Sequence, residues 1–292
     1  MKGKFLFVCL AVGLAGGALG ATSAEQPEWV KAYMAPLEAT HKSPEEKRGL
    51  EIYETQYLMD KGWGSLEVGL EMRLIDAAGR ESQRRVVERK TEEPEQPNKT
   101  LGIFLEPADV RGTVMLTFEK STESDDQWLF LPAFKRTKKI NAVNKSGSFL
   151  GTEFSWEDIS TSELTKYHYR FLREEGATWV VERVPVYQFS GYSREVTWVD
   201  KSNYQTVKIE YYDRKGDLLK TLNLDEWAQY LGRYWRPLRM EMSNHVNGKK
   251  TIIQLSPYRM NAGLDKKMFS SLVLEDIPLP NAIGATPVAA AK

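Results

Sequence analysis

The chain has 292 residues, with 40 Lys and Arg against 40 Asp and Glu, and its only cysteine is Cys9. A balance this close to neutral provides no global field to draw nucleic acid. One cysteine excludes disulfides, thiolate zinc sites and paired-cysteine redox chemistry. The length suits one large domain or two small ones, and no glycine- or proline-rich linker divides it.

The first residues carry an export signature. Lys2 and Lys4 form a basic start, Phe5 to Leu19 is almost wholly apolar, and Ala18-Leu19-Gly20 or Thr22-Ser23-Ala24 offers small residues for cleavage. Residues 1–24 are therefore read as a signal peptide cleaved near 20–24. The apolar run is too short for a comfortable membrane span. Cys9 lies within it, so the mature chain has no cysteine, and none stands at the cleavage region to carry a lipid.

Two helical segments follow, together spanning about 27–61. "QPEWVKAYMAPLEA" is short and amphipathic, with Trp29, Met34 and Leu37 as anchors. In "SPEEKRGLEIYETQYLMDKG", Ser43 reads as an N-cap, Pro44 as the first helical residue and Glu46 as the other half of a capping box. Leu50, Tyr53 and Tyr57 recur at helical spacing, and Gly62 ends the run. Trp63, between Gly62 and Gly64, reads either as a simple stop or as a hinge.

From Gly64 the period becomes two. "SLEVGLEMRLI" places Leu66, Val68, Leu70, Met72 and Leu74 on one face, and similar runs recur to about residue 260. Turn signals at 214–217 and at Asn247-Gly248 separate neighbouring runs. With about ten to twelve strands and no helix long enough for a parallel crossover, the pattern predicts an antiparallel meander, either a barrel or a strongly curved sheet. One face is expected to be wet. The other needs an apolar cover, obtained by closure or by packing the N-terminal helices into the concavity. Residues 25–275 are read as a single domain and 276–292 as a disordered tail.

"SGSFLGTEFSWEDI" (146–159) resembles an active-site loop and fails each catalytic template. Its serine directly follows Gly147, one place short of a G-x-S-x-G elbow. No lysine follows Gly151, which excludes a phosphate loop. Glu153, Glu157 and Asp158 lack calcium-loop spacing. They read as a capping and solvating group that balances the nearby "KRTKK" (135–139). His41, His168 and His245 stand in three distant segments and read as surface or strand residues. No catalytic residue, metal or cofactor is expected.

The stretches "DDQWLFLPAFKRTKKI", "NKSGSFLGTEFSWEDI", "VKIEYYDRKGDLLKTL" and "YWRPLRMEMSNHVNGKKT" give the chain a resemblance, over about 45–275, to the LolA-like outer-membrane lipoprotein-sorting proteins of Gram-negative bacteria. That resemblance implies a mainly β fold, a curved antiparallel half-barrel left unclosed, with N-terminal helices plugging its concave side. It also implies a periplasmic carrier or chaperone that binds acyl chains of lipoproteins or lipids in an apolar cavity and transports them toward the outer membrane. The alternative is a periplasmic adaptor for a resistance-nodulation-division type exporter, without lipoprotein cargo. Expected partners are lipoprotein acyl chains or other lipids, an inner-membrane exporter and an outer-membrane acceptor, with only transient membrane contact and no nucleic acid.

Candidate cavity residues are Leu66, Val68, Leu70 and Met72 of the first strand, with Trp128, Phe130, Tyr169 and Phe171 further on. Val196, Trp198, Ile209, Tyr211, Met240 and Met242 complete the set. Leu50, Tyr53 and Tyr57 are candidate lid residues on the second helix. Lys135, Arg136, Lys138 and Lys139 are candidate docking residues.

Overall fold

The computed structural model describes residues 28–280, apart from 94–95 and 160–162. The expected signal peptide, and residues 281–292 of the expected tail, lie outside the described residues.

Helix α1 (Glu28–Thr40) buries Val30, Met34 and Leu37. Helix α2 (Pro44–Met59) begins with the expected capping box. The Ser43 hydroxyl accepts from Glu46 N–H at 3.2 Å, and the Glu46 carboxylate accepts from Ser43 N–H at 2.9 Å. Backbone donors left orphaned at a helix start are satisfied in this way. At its other end α2 has no basic residue of its own in the last turn. Arg233, far along the chain, donates to the carbonyls of Leu58 and Met59 at 3.2 Å and supplies the positive charge that helix C-termini favour.

The strands form one antiparallel sheet in two meanders. The first comprises β1 (Ser65–Ile75), β2 (Glu81–Glu93), β3 (Gln96–Glu106), β4 (Val114–Phe118), β5 (Asp126–Leu131) and β6 (Arg136–Lys139). The second comprises β7 (Tyr167–Glu175), β8 (Thr178–Pro185), β9 (Tyr192–Asp200), β10 (Thr206–Asp213), β11 (Leu218–Tyr230), β12 (Tyr234–Asn244) and β13 (Lys250–Leu255). The spatial order is β6-β5-β4-β3-β2-β1-β13-β12-β11-β10-β9-β8-β7, and a two-residue β14 (Arg259–Met260) also pairs with β1. The meanders are joined by β1 and β13, in register from Leu70 opposite Leu255 to Ile75 opposite Lys250. The edges, β6 and β7, do not pair, so the half-barrel is open. The two strands beyond the expected ten to twelve are the lysine-rich β6, which carries Arg136, Lys138 and Lys139 of the candidate docking set, and the very short β14.

The topology sends the chain from one sheet edge to the other between β6 and β7. Residues 140–159 of this connection lie over one face, here called the inner face. Phe149, Phe154 and Trp156 of this strap are buried in one cluster with Leu66, Val68, Leu70, Met72, Phe104, Tyr211, Met242 and Ile253. The strap doubles back at Leu150 and Gly151, both at positive φ, and Phe149 N–H bonds to Phe154 C=O at 2.7 Å. The helices cover the rest of the inner face, where Leu50, Ile52 and Tyr53 pack on Tyr169, Trp179, Val181 and Val199.

The outer face is not uniformly wet, contrary to the period-two reading. Over β2–β5 it buries Val87, Leu101, Ile103, Val114, Leu116 and Phe130 beneath Phe269 and Leu274 of the C-terminal segment. A stretch such as "LGIFL" is apolar throughout because both of its faces are covered.

Helix α2 lies close against β7 at Gly49, where an added Cβ would lie 2.8 Å from Phe171 N and 2.9 Å from the Arg170 backbone. Alanine favours helices over glycine by up to about 1 kcal/mol, so an open site would gain stability from the exchange. Here overpacking against a rigid backbone dominates, and Gly49→Ala is expected to destabilise by about 1–3 kcal/mol in urea unfolding.

His41 and His168, distant in sequence, stack with ring centroids 4.2 Å apart. His41 is buried, which corrects the surface reading. Its Nδ1–H donates to Leu37 C=O at 2.7 Å and its Nε2 accepts from Tyr169 N–H at 2.9 Å, an arrangement that requires the neutral ring. Burial lowers its pKa below the ordinary value, with the neighbouring His168 adding to the effect. The unfolded chain therefore takes up this proton first. Stability is expected to fall as pH drops below about 6.5. Chemical denaturation from pH 7.5 down to 5.5 should show the decline, and His41→Gln should flatten it.

Candidate ligand-binding cavity

A cavity of about 360 Å³ lies between the C-terminal half of α2 and the sheet. Tyr53, Gln56, Tyr57, Asp60 and Lys61 line it from the helix side. The opposite wall includes Trp63, Leu66, Glu88, Lys90, Asn98, Arg183, Ile209, Trp227, Trp235, Arg236 and Tyr258. Its volume is at the lower end of the range for small-molecule sites, about 300–1,000 Å³. Three tryptophans and three tyrosines give it large amphipathic surfaces.

Both ends of α2 are fixed. At the N-terminal end Glu46 bonds His168 Nε2 at 3.0 Å, and the Ser43 amide with that contact pulls the Glu46 pKa down to about 2. In the middle, Tyr53 donates to Thr197 Oγ1 at 2.7 Å and Gln56 to Tyr204 C=O at 2.6 Å. At the C-terminal end Arg236 pairs with Asp60 at 2.6 Å, and Tyr234 donates to Lys61 C=O at 3.1 Å. Trp63 is buried, and the Glu92 carboxylate accepts from the amides of both Gly62 and Gly64. The segment is a pinned helix stop, not a free hinge, and α2 is an anchored wall of the cavity.

Charge reaches deep into this region. Arg183 and Glu195 form a buried ion pair, with the guanidinium 4.7 Å from the Tyr167 ring centroid and 5.3 Å from that of Tyr53. Burial raises the Glu195 pKa, and the Arg183 charge offsets part of that rise. Burial likewise raises Asp60, opposed by Arg236. Asn98 Oδ1 and Arg183 Nε are buried with no hydrogen-bond partner among the described residues. The cavity is thus aromatic and polar, where the sequence implied a plain apolar one.

Of the apolar candidates, Leu66 and Ile209 line the cavity. Val68, Leu70, Met72, Tyr211 and Met242 lie on the same face with the half-buried Met240, but in the cluster that the strap covers with its own aromatics. Tyr169 and Phe171 pack beneath the helices. Trp128 and Phe130 belong to the outer-face cluster under the C-terminal segment, and Val196 and Trp198 to a separate outer patch with Val180. These four face away from the cavity. Apolar strand residues on a sheet covered on both faces do not reveal their side by parity alone. Of the lid candidates, Tyr53 and Tyr57 reach the cavity, whereas Leu50 is packed between helix and sheet. Among the docking candidates, Lys135 ends a 3-10 turn in the left-handed region, and Arg136, Lys138 and Lys139 lie on the edge strand β6.

Sequence reasoning missed Trp227, Trp235 and Arg236 as cavity residues. The aromatic-dense stretch 227–235 around the β11–β12 turn was the available signal.

Of the strap carboxylates Asp158 and Glu157 are buried and Glu153 is half-buried, and all three accept bonds within the fold rather than facing "KRTKK" as a solvated group. Asp158 pairs with Lys220 at 2.5 Å, both side chains nearly inaccessible, and accepts from Tyr192 Oη at 2.7 Å. Glu157 accepts from Gly191 N–H at 2.9 Å and from the hydroxyls of Tyr187 and Ser190, and burial raises its pKa. Glu153 accepts from Asn244 Nδ2 at 2.7 Å. No group of three His, Cys, Asp or Glu among the described residues could hold a metal ion.

A domain from Vibrio parahaemolyticus, described as an outer membrane lipoprotein-sorting protein, is 41% identical over 79% of this chain and 99% of its own, with a TM-score of 0.77. The chain belongs to this LolA-like family. A DUF1329 family protein from Desulfovibrio piger is 26% identical over 80% of this chain and 100% of its own, with a TM-score of 0.75. A LolA superfamily protein from Nitrosomonas europaea shares the fold at 23% identity and a TM-score of 0.61, covering 76% of this chain and 97% of its own. A family model described as an uncharacterized protein matches residues 96–276. No curated protein matches the sequence.

Removing one partner of a buried ion pair costs about 3–5 kcal/mol, because the other charge stays behind. Lys220→Met is therefore expected to destabilise this LolA-like fold by that amount in denaturant titration. Adding Asp158→Asn should recover most of the loss.

Proposed function

We propose that this protein is a periplasmic carrier that binds the acyl part of a lipid or lipoprotein in the cavity beneath α2 and moves it toward the outer membrane. The aromatic cavity carries this reading, in a fold whose Vibrio relative is described as lipoprotein-sorting. Moving a fourteen-carbon chain out of water gains roughly 0.8 kcal/mol per methylene, about 11 kcal/mol gross. Burial on that scale holds cargo without a nucleotide or a covalent bond. A cavity of 360 Å³ suits one chain or ring better than a bundle, with the polar part of the ligand near Asp60, Lys61 and Arg236.

The reading includes cleavage of the signal peptide near 20–24, a mature domain over 25–275 and a tail over 276–292. No helix of the described residues is long and apolar enough to cross a membrane. Release needs an acceptor that binds cargo more tightly, since a ligand is transferred only by differential affinity.

Native mass spectrometry of the purified mature protein should detect copurified lipid, and a fluorescent acyl probe should bind. Trp227→Ala and Trp235→Ala, at half-buried lining positions, should each weaken the probe about tenfold, or about 1.4 kcal/mol, with an unchanged far-UV spectrum. A folded protein that arrives empty and binds no acyl probe would overturn the proposal.

A further inference from the structure

The segment from Pro132 to Val143 contains the edge strand β6 and is not used by the cavity. It opens with a 3-10 turn, Pro132–Phe134, and Lys135 then takes φ 45 and ψ 46. Phe134 projects with 74% of its surface exposed, and Val143, beyond the other end of β6, with 57%. Between them Lys135, Arg136 and Lys138 are exposed, and no carboxylate among the described residues is within ion-pair reach of any of the three. Elsewhere on the surface cations are commonly paired, as Arg73 is with Glu81 and Arg239 with Asp225. The next residue in the cluster, Lys139, is itself taken up by Asp126 at 2.6 Å and lies over the Trp128 ring.

The register separates these charges. Arg136 and Lys138 stand opposite Leu131 and Leu129, while Lys139 stands opposite Trp128 on the outer side. The C-terminal turn Leu274–Asp276, with its two carboxylates, rests against β4 and β6 on that outer side through Leu274. Arg136 and Lys138 are therefore on the side of the strand away from those carboxylates. A near-neutral protein thus carries a local excess of positive charge, flanked by two exposed apolar side chains, along one sheet edge.

We propose that this edge is a docking surface for a bilayer bearing anionic headgroups, with Phe134 entering the interface and Lys135, Arg136 and Lys138 lying on the phosphates. The arrangement suits a membrane better than a protein partner. Phe134 and Val143 stand beyond opposite ends of β6 and do not together form the contiguous core of a protein interface, whereas interfacial anchoring works through single aromatics and diffuse cationic charge. One aromatic and three cations give weak, salt-sensitive and reversible binding, as a protein that must leave the membrane again requires. The edge is separate from the cavity, so this proposal can fail while the cavity still binds lipid.

The test is co-sedimentation of the full mature chain with vesicles of phosphatidylcholine alone or mixed with phosphatidylglycerol, at low and high salt, beside the acyl-probe assay. Binding is expected only to the anionic vesicles, and it should be lost at high salt. Each single cation-to-alanine change at 135, 136 or 138 should weaken it roughly fivefold. Phe134→Ala should weaken it by a similar factor, whereas Lys139→Ala should change it less than twofold, and all should retain acyl-probe binding. Equal sedimentation with neutral and anionic vesicles would overturn the proposal. So would a Lys135→Glu, Arg136→Glu, Lys138→Glu triple variant that binds normally, or charge-dependent capture by an acidic protein with none by vesicles.

Discussion

Because β6 and β7 lie at opposite edges of one sheet, the chain between them has to cross the inner face, and much else follows from that crossing. A crossing segment without regular structure brings unpaired backbone amides and carbonyls into the core, where each must find a partner. Several buried polar residues of this protein are those partners. Gln127 donates to Trp156 C=O at 3.0 Å, and Glu153 N–H bonds to Thr251 Oγ1 at 2.9 Å. Lys220 reaches both Glu153 C=O and the Asp158 carboxylate, and Arg84 reaches Leu150 C=O. Residues that would read as misplaced in a simple β core thereby serve a strap that the topology requires.

The strap also decides where a ligand fits. Phe149, Phe154 and Trp156 fill the middle of the inner face, so Met72, Tyr211 and Met242 pack against the protein's own chain. Free volume remains toward the C-terminal end of α2, where the helix spans the sheet between its two clamps. Those clamps are polar and partly exposed: Arg233 to the last carbonyls of α2, Arg236 to Asp60, and Glu46 to His168. The exposed contacts among them contribute little individually, whereas the Arg236 side chain is largely buried against Asp60 and anchors the C-terminal end of α2 together with Tyr234 and Glu92.

The elements that depend on local chemistry were legible in the sequence. The capping box at Ser43, the stop at Gly62, the alternation of β1 and the hairpin turns each follow from residue preference within a few positions. The open half-barrel came from family resemblance, since alternation alone left a closed barrel equally possible. Sidedness was illegible for Trp128, Phe130, Val196 and Trp198, because a strand covered on both faces loses the polar half of its alternation. The polar side of the cavity was hidden for a different reason. Arg183 and Glu195 look like the solvated positions of β8 and β9, and only the register, which sets them opposite each other on the inner face, reveals a buried pair.

That pair bears on the kind of interior this protein has. Replacing buried ions with apolar side chains of similar size often leaves stability unchanged or improves it, so stability alone does not require Arg183 and Glu195. Lys145 is a further example: its burial pulls the pKa down to about 8, and its ammonium donates to Asp125 C=O beside the Asp125–Lys166 ion pair. These contacts tie the β4–β5 hairpin to the start of β7, across the gap that the unpaired edges leave. Directional charge pairs can hold two sheet edges at a set separation, whereas an apolar seam is free to collapse or slide. On this argument the Asp125–Lys166 pair, with Lys145 beside it, sets how closely the loop before β5 approaches the segment entering β7, whereas Arg183 and Glu195 face each other on adjacent strands and fix the inner face between β8 and β9.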